Sequence, residues 1–218
     1  MKTLSHDQAR IFYDRFGAKQ DLQRFYEDRA VQDLMDHLAL GSARSVLEFG
    51  CGTGRLAQRM LDRELCSEAR YLGIDISSTM IGLAQRRLRA FGARARVVRS
   101  GGAMELDVQS ASYDRFLAVY VLDLLAEEDI AKLLHEAHRI LAAGGRLGLV
   151  SLTHGATAAA RLVERAWMAL HRLRPSLVGG CRPLRLTDFL GGSDWEILRQ
   201  QAITQWGITS EVVVAARV

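Results

Sequence analysis

Val46-Leu-Glu-Phe-Gly-Cys-Gly-Thr-Gly-Arg-Leu-Ala57 is the stretch on which the reading of this chain turns. Val46 to Phe49 form a short apolar run with a single carboxylate, Glu48, as expected of a strand buried on both faces. Gly50, Gly52 and Gly54 alternate directly after it. Arg55 to Leu61 then place Leu56, Met60 and Leu61 at helical spacing. The stretch reads strand, glycine-rich turn, helix. Such a turn lets a ligand approach the backbone, and the free N–H groups at the start of the helix add a positive dipole end. Further on, Tyr71-Leu-Gly-Ile-Asp-Ile-Ser77 is a second apolar run ending in Asp75. A carboxylate at the end of a second strand can accept both hydroxyls of a ribose.

Spacing separates the possible ligands. A dinucleotide fingerprint needs Gly or Ala three residues after its second glycine, and that position here is Arg55. The pattern Glu-x-Gly-x-Gly-x-Gly, followed by Asp75, instead resembles the class I S-adenosylmethionine-dependent methyltransferases. The resemblance implies that Glu48, Phe49, Gly50, Cys51, Gly52, Thr53 and Gly54 cradle the methionine part of S-adenosylmethionine. It implies that Asp75 holds the ribose, with Ile76, Ser77 and Met80 in the same site. In that family an acid usually bonds the adenine amine at the end of the third strand. The place is Gly102 here, which leaves the adenine to Gly102, Ala103 and Met104, or to Glu105. The run Ser112 to Leu125 resembles the fourth motif and puts Val119, Tyr120 and Asp123 where cofactor and acceptor meet. Nucleobase enzymes carry an Asp/Asn-Pro-Pro-aromatic tetrapeptide there or a Pro-Cys pair. The two prolines, Pro175 and Pro183, lie elsewhere.

Bulk numbers fit one α/β domain. The 218 residues are 49% apolar, with no apolar run long enough to span a bilayer and no secretory type of N-terminus. Cys51, Cys66 and Cys181 are scattered and odd in number, which suits a reducing, cytoplasmic setting. The net charge of +4 comes with arginine clusters at 85–89 and 94–96. Aromatics do not interleave with them, so they read as solvated faces and nucleic acid is disfavoured as a partner.

In chain order, residues 1–41 are expected to form an N-terminal helical cap. One helix follows Ser5 up to Gly17, and another spans 21–40, with Tyr13 and Tyr26 facing an acceptor pocket. Residues 42–218 then alternate strand and helix, with a helical insert at about 155–190. The fold class is α/β: a doubly wound, seven-stranded, mostly parallel Rossmann-like sheet. Two strand-like runs, 195–203 and 210–217, are too close for a crossover and should form an antiparallel C-terminal hairpin. The insert's helix, 155–173, is expected to pack Ala159, Leu162, Val163, Ala166, Trp167 and Leu170 on one face. Acceptor contacts are expected from Tyr13, Tyr26, His154, Trp167, His171 and Arg182. His154, Tyr120 and Asp123 are the catalytic candidates, with His154 as a base. No metal-ligand spacing appears. The resemblance implies in-line methyl transfer to O, N or S of a small, partly apolar metabolite by a monomer or homodimer. The alternatives are a lipid or quinone head-group enzyme touching a membrane surface through its aromatic N-terminal helices, and a module that holds the cofactor without turnover.

Overall fold

The computed structural model describes residues 3–192 and 194–218. Seven strands form one sheet in the order β3-β2-β1-β4-β5-β7-β6. They are β1 (Ser45–Phe49), β2 (Arg70–Asp75), β3 (Ala95–Arg99), β4 (Tyr113–Val119), β5 (Leu141–Leu152), β6 (Trp195–Gln205) and β7 (Ile208–Arg217). β1 pairs in parallel with β2 and β4, β2 with β3, and β4 with β5. β7 runs antiparallel to both β5 and β6, as the short 206–207 turn requires. The expected fold class is therefore the observed one.

Strand alternation divides the core between the two faces. Val46, Leu117, Val150, Val212 and Val214 pack under α2 (Arg24–His37), α3 (Arg55–Arg63) and α4 (Ser78–Leu88). Leu47, Phe49, Phe116, Leu149 and Val213 pack against α5 (Glu127–Ile140) and the 184–190 segment. Glu127 to Asp129 open α5 and His138 and Arg139 close it, matching the helix dipole at both ends.

Three elements depart from expectation. The helix expected over 21–40 is split into a 3₁₀ segment, Gly17–Gln23, and α2. The first helix, α1 (His6–Phe16), is capped by a Ser5–Gln8 box and buries no residue, whereas α2 is a layer of the core. β5 already starts at Leu141, opposite Tyr113, and residues 142–145 bulge before Arg146 meets Arg115. The largest departure is α6 (Ala158–Leu173). Only Ala160 and His171 are buried in it, while Leu162 and Leu170 of its expected packing face are 68% and 47% exposed. The loop at 178–182 meets this helix along the opposite edge, through Trp167, whose Nε1 donates to Cys181 O at 3.0 Å.

Candidate ligand site at the carboxyl ends of the strands

The glycine turn leaves β1 and is tied at once to β2, because the N–H groups of Gly50 and Cys51 both donate to Ile74 O, at 2.8 and 3.0 Å. Gly50 and Gly52 have φ of +77° and +51°, a region that L side chains rarely adopt. A Cβ on Gly50 would lie 2.9 Å from the Val121 side chain, and one on Gly52 would lie 2.8 Å from Gln20 Oε1. At these two positions the turn favours glycine, by conformation and by space.

Asp75 ends β2 beside this turn. One carboxylate oxygen accepts from Gly52 N at 2.9 Å and the other from Ser77 N at 2.8 Å. These bonds aim the carboxylate and leave a lone pair free on each oxygen. Burial pushes its pKa up, and the two amides offset part of that. Glu48 is buried one turn away and accepts from Tyr71 Oη at 2.6 Å. Burial outweighs this bond and pushes its pKa up to about 8.

The N-terminal segment roofs the site and is held by charged bonds. Asp14 accepts from Ser77 Oγ at 2.6 Å and from Thr79 N at 3.1 Å, at the start of α4. Asp21 accepts from Thr53 Oγ1 and from Arg87, each at 2.6 Å. His6 pairs with Asp129 at 3.1 Å and lies over Gly102, where an added Cβ would meet His6 Nδ1 at 3.2 Å. The imidazole thus lies where a side chain at position 102 would start.

Beneath this roof are two adjoining clefts that share Gln20, Gly50 and Tyr120. The first, with about 740 Å³ of empty space, is walled by Tyr13, Phe49, Ile74, Asp75, Ile76, Gly102, Met104, Val121 and Leu124. The second, with about 670 Å³, is walled by Glu27, Glu48, Cys51, Gly52, Thr53, Arg55 and Val119. Gln20 Oε1 is buried at the junction with no hydrogen-bond partner. Glu27 lies 3.7 Å from Arg55, and burial pushes its pKa up to about 7 despite that cation. Tyr120, at φ +52°, meets Tyr26 edge to face at 5.9 Å and shares a 2.8 Å hydrogen bond with Ser210 Oγ. Asp123 is fully buried behind these rings and neither of its oxygens has a hydrogen-bond partner. Burial pushes its pKa up to about 7, although the Cys181 thiol and Arg182 lie beside it.

Several expected residues lie elsewhere. His154 is exposed, and its Nδ1 is 2.7 Å from Glu164 Oε1, outside both clefts. Its position, not this pairing, sets it apart from the clefts. Gly54 packs α3 on Ala84 of α4, with its Cβ position 3.0 Å away, and Met80 belongs to the core. Ser77 acts through its bond to Asp75 and caps α4 at Met80 N. Ala103 and Glu105 are exposed and line neither cleft. Tyr26, His171 and Arg182 are buried in the wall behind the clefts, and Trp167 lines a third groove under α6. Sequence reasoning missed His6, Gln20 and Glu27. His6 and Glu27 sit in stretches that read as plain helix and Gln20 in the short link between them, and only the folding of this segment over the site singles them out.

Comparison with known proteins agrees with this geometry. The family described as a methyltransferase domain matches residues 46–145. The demethylmenaquinone methyltransferase of Thermus thermophilus is 30% identical over 143 residues, covering 65% of this chain and 62% of its own. The chain spans about half the length of the curated relatives it matches. Among solved structures, the cyclase SpnF superposes with a TM-score of 0.74 at 16% identity, covering 100% of this chain and 98% of its own. Geranyl diphosphate C-methyltransferase from Streptomyces coelicolor, solved with S-adenosyl-L-homocysteine, superposes at 0.69 with 13% identity, covering 88% and 79%. At such identities these two likenesses speak for the fold alone. Among the described residues, no cluster of His, Cys, Asp and Glu could hold a metal, and no helix is long and apolar enough to cross a membrane.

Proposed function

We propose that the chain is a class I S-adenosylmethionine-dependent methyltransferase, as its match to a methyltransferase-domain family and its methyltransferase relatives support, and that it transfers a methyl group from S-adenosylmethionine to a small, partly apolar acceptor. The observation that carries the reading is the clamped Asp75 beside a glycine cradle.

The residues present fit this cofactor. Asp75 has a free lone pair on each oxygen for the two ribose hydroxyls. Gly102, Met104 and the His6 ring bound the adenine end. In the second cleft Glu27, Glu48 and the Gln20 amide oxygen suit the methionine ammonium, and Arg55 suits its carboxylate. A buried, unpartnered Gln20 oxygen is the signature of a polar group that waits for a ligand. Bound there, the cofactor supplies a methyl group activated by its sulfonium charge. The chain's own contribution is alignment and exclusion of water, worth about 7–11 kcal/mol in well-oriented cases.

Asp123 is fully buried behind Tyr13 and Tyr120 and lines neither cleft, so for a hydroxyl or carbon acid acceptor it can position those phenols but does not reach the proton itself. The apolar first cleft and the quinone-type relatives support an acceptor with an aromatic or isoprenoid-like body. Release of S-adenosylhomocysteine across a panel of hydroquinones, phenols and small amines tests the reading. Turnover with one class is expected. Tight cofactor binding with no turnover on any acceptor would leave a cofactor-holding module, and binding of a nicotinamide dinucleotide in its place would reject the reading.

A further inference from the structure

The outward face of α6 and the tip of the β6–β7 hairpin form one apolar surface on which none of the described residues packs. Along α6, Leu162, Ala166, Ala169, Leu170 and Leu173 are exposed at helical spacing, with Leu162 68% and Leu173 80% accessible. Arg161, Arg165 and Arg172, also exposed, repeat with the same period along one edge of that stripe. The helix has a single carboxylate, Glu164, and it is turned inward to accept from Gly155 N at 2.8 Å and to meet His154. The arginine edge therefore carries three cations against one carboxylate, and that carboxylate is already engaged by Gly155 and His154. At the other edge, Val163 reaches the hairpin tip, 3.0 Å from the Cβ position of Gly207.

The tip supplies an independent observation. Trp206 and Gly207 have φ of +54° and +78°, the backbone of a tight hairpin turn whose first position favours Asn, Asp or Gly. A bulky aromatic there is strained. It is also 76% exposed, so no packing within the chain compensates the strain. A tryptophan held out in this way beside a cationic, apolar helix has the composition of an interfacial anchor.

We propose that this surface docks on an anionic lipid bilayer, with Trp206 and the leucines of α6 entering the headgroup boundary and Arg161, Arg165 and Arg172 facing lipid phosphates. A second copy suits the face less well, because symmetric pairing would bring two rows of arginines onto one seam. Leu152 pairs with Ser210 just before the tip, so the docking surface lies at the end of the sheet where the clefts open. The site mouth would then face the bilayer, where an apolar acceptor partitions. It is a different surface from the aromatic N-terminal helices, which the alternative reading puts against a membrane. Docking itself does not rest on the methyl-transfer reading.

Vesicle flotation tests it. Wild type should float with phosphatidylcholine vesicles that contain phosphatidylglycerol and stay behind with pure phosphatidylcholine. Arg161→Gln, Arg165→Gln and Arg172→Gln together should weaken binding about 100-fold, from a contribution of about fivefold per arginine. Trp206→Asn, which suits the turn and keeps the fold, should weaken it about tenfold. Both variants should bind S-adenosylmethionine as wild type does in calorimetry, which separates docking from the cofactor site. Absence of flotation with anionic vesicles, or unchanged flotation of both variants, overturns the proposal. A dimer in sedimentation that Trp206→Asn disperses, without flotation, overturns it in favour of a second copy.

Discussion

Asp75 and the two raised glutamates carry the binding argument at the scale of single residues. Asp75→Ala removes the partner of both ribose hydroxyls and of Gly52 N, and should cost about 1–3 kcal/mol of cofactor affinity. Unchanged affinity in calorimetry would withdraw the role assigned to it. Glu48 and Glu27 titrate at about 8 and about 7 without ligand, because burial disfavours their charged forms. A ligand ammonium between them reverses that preference, so binding at pH 7 should expel protons. The heat of binding should then depend on the ionisation enthalpy of the buffer, and affinity should fall as pH drops below 7. Glu48→Gln should remove most of the buffer dependence.

Among the elements, the turn and the roof above it depend on each other. Gly52→Val places a branched side chain at φ +51° against Gln20, so it should abolish cofactor binding while circular dichroism stays that of a folded protein. The roof is held where Arg87 bridges Asp21 and the Thr53 carbonyl, from α4 to the 3₁₀ segment and to the turn. Burial alone would raise the Asp21 pKa, but the bonds from Arg87 and Thr53 hold it below the usual carboxylate range. Arg87→Ala should loosen residues 6–23 by on the order of 1 kcal/mol, since the pair is partly solvated. Hydrogen exchange would show this as faster exchange in that segment with unchanged protection in β1, β4 and β5. Equal protection throughout would mean that apolar contacts alone hold the roof.

Across the whole molecule, the raised carboxyls should set how stability depends on pH. Asp123, Glu27 and Glu48 have folded pKa values above their unfolded ones, so the folded form keeps protons that the unfolded chain releases. Their contribution is complete in acid and is lost as pH rises through 7 to 8. The ligand-free protein should therefore melt several degrees lower at pH 8.5 than at pH 6. Asp123→Asn should flatten that fall, and a flat profile in the unsubstituted protein would contradict the burial of these groups. Much of this architecture was legible in the chain. Val46–Phe49, the three glycines and Asp75 are local signals, because strand burial, left-handed turns and strand-end carboxylates each leave a short pattern. The closeness of 195–205 to 208–217 announced the hairpin in the same way. Other features left no such pattern. Amphipathic periodicity tells that α6 has an apolar face but not whether anything packs on it, and here its leucines face outward. Gln20 and Glu27 meet the turn and the start of α3, and His6 meets Gly102, across long sequence separations. His154 looked placed for catalysis, yet it lies outside both clefts. Sequence alone thus determined the sheet, the cradle and the kind of ligand it suits, since each rests on neighbours along the chain. Which carboxyls are buried, what roofs the cleft and which apolar face stays bare were decided only by tertiary packing, because burial depends on residues brought together from distant parts of the chain.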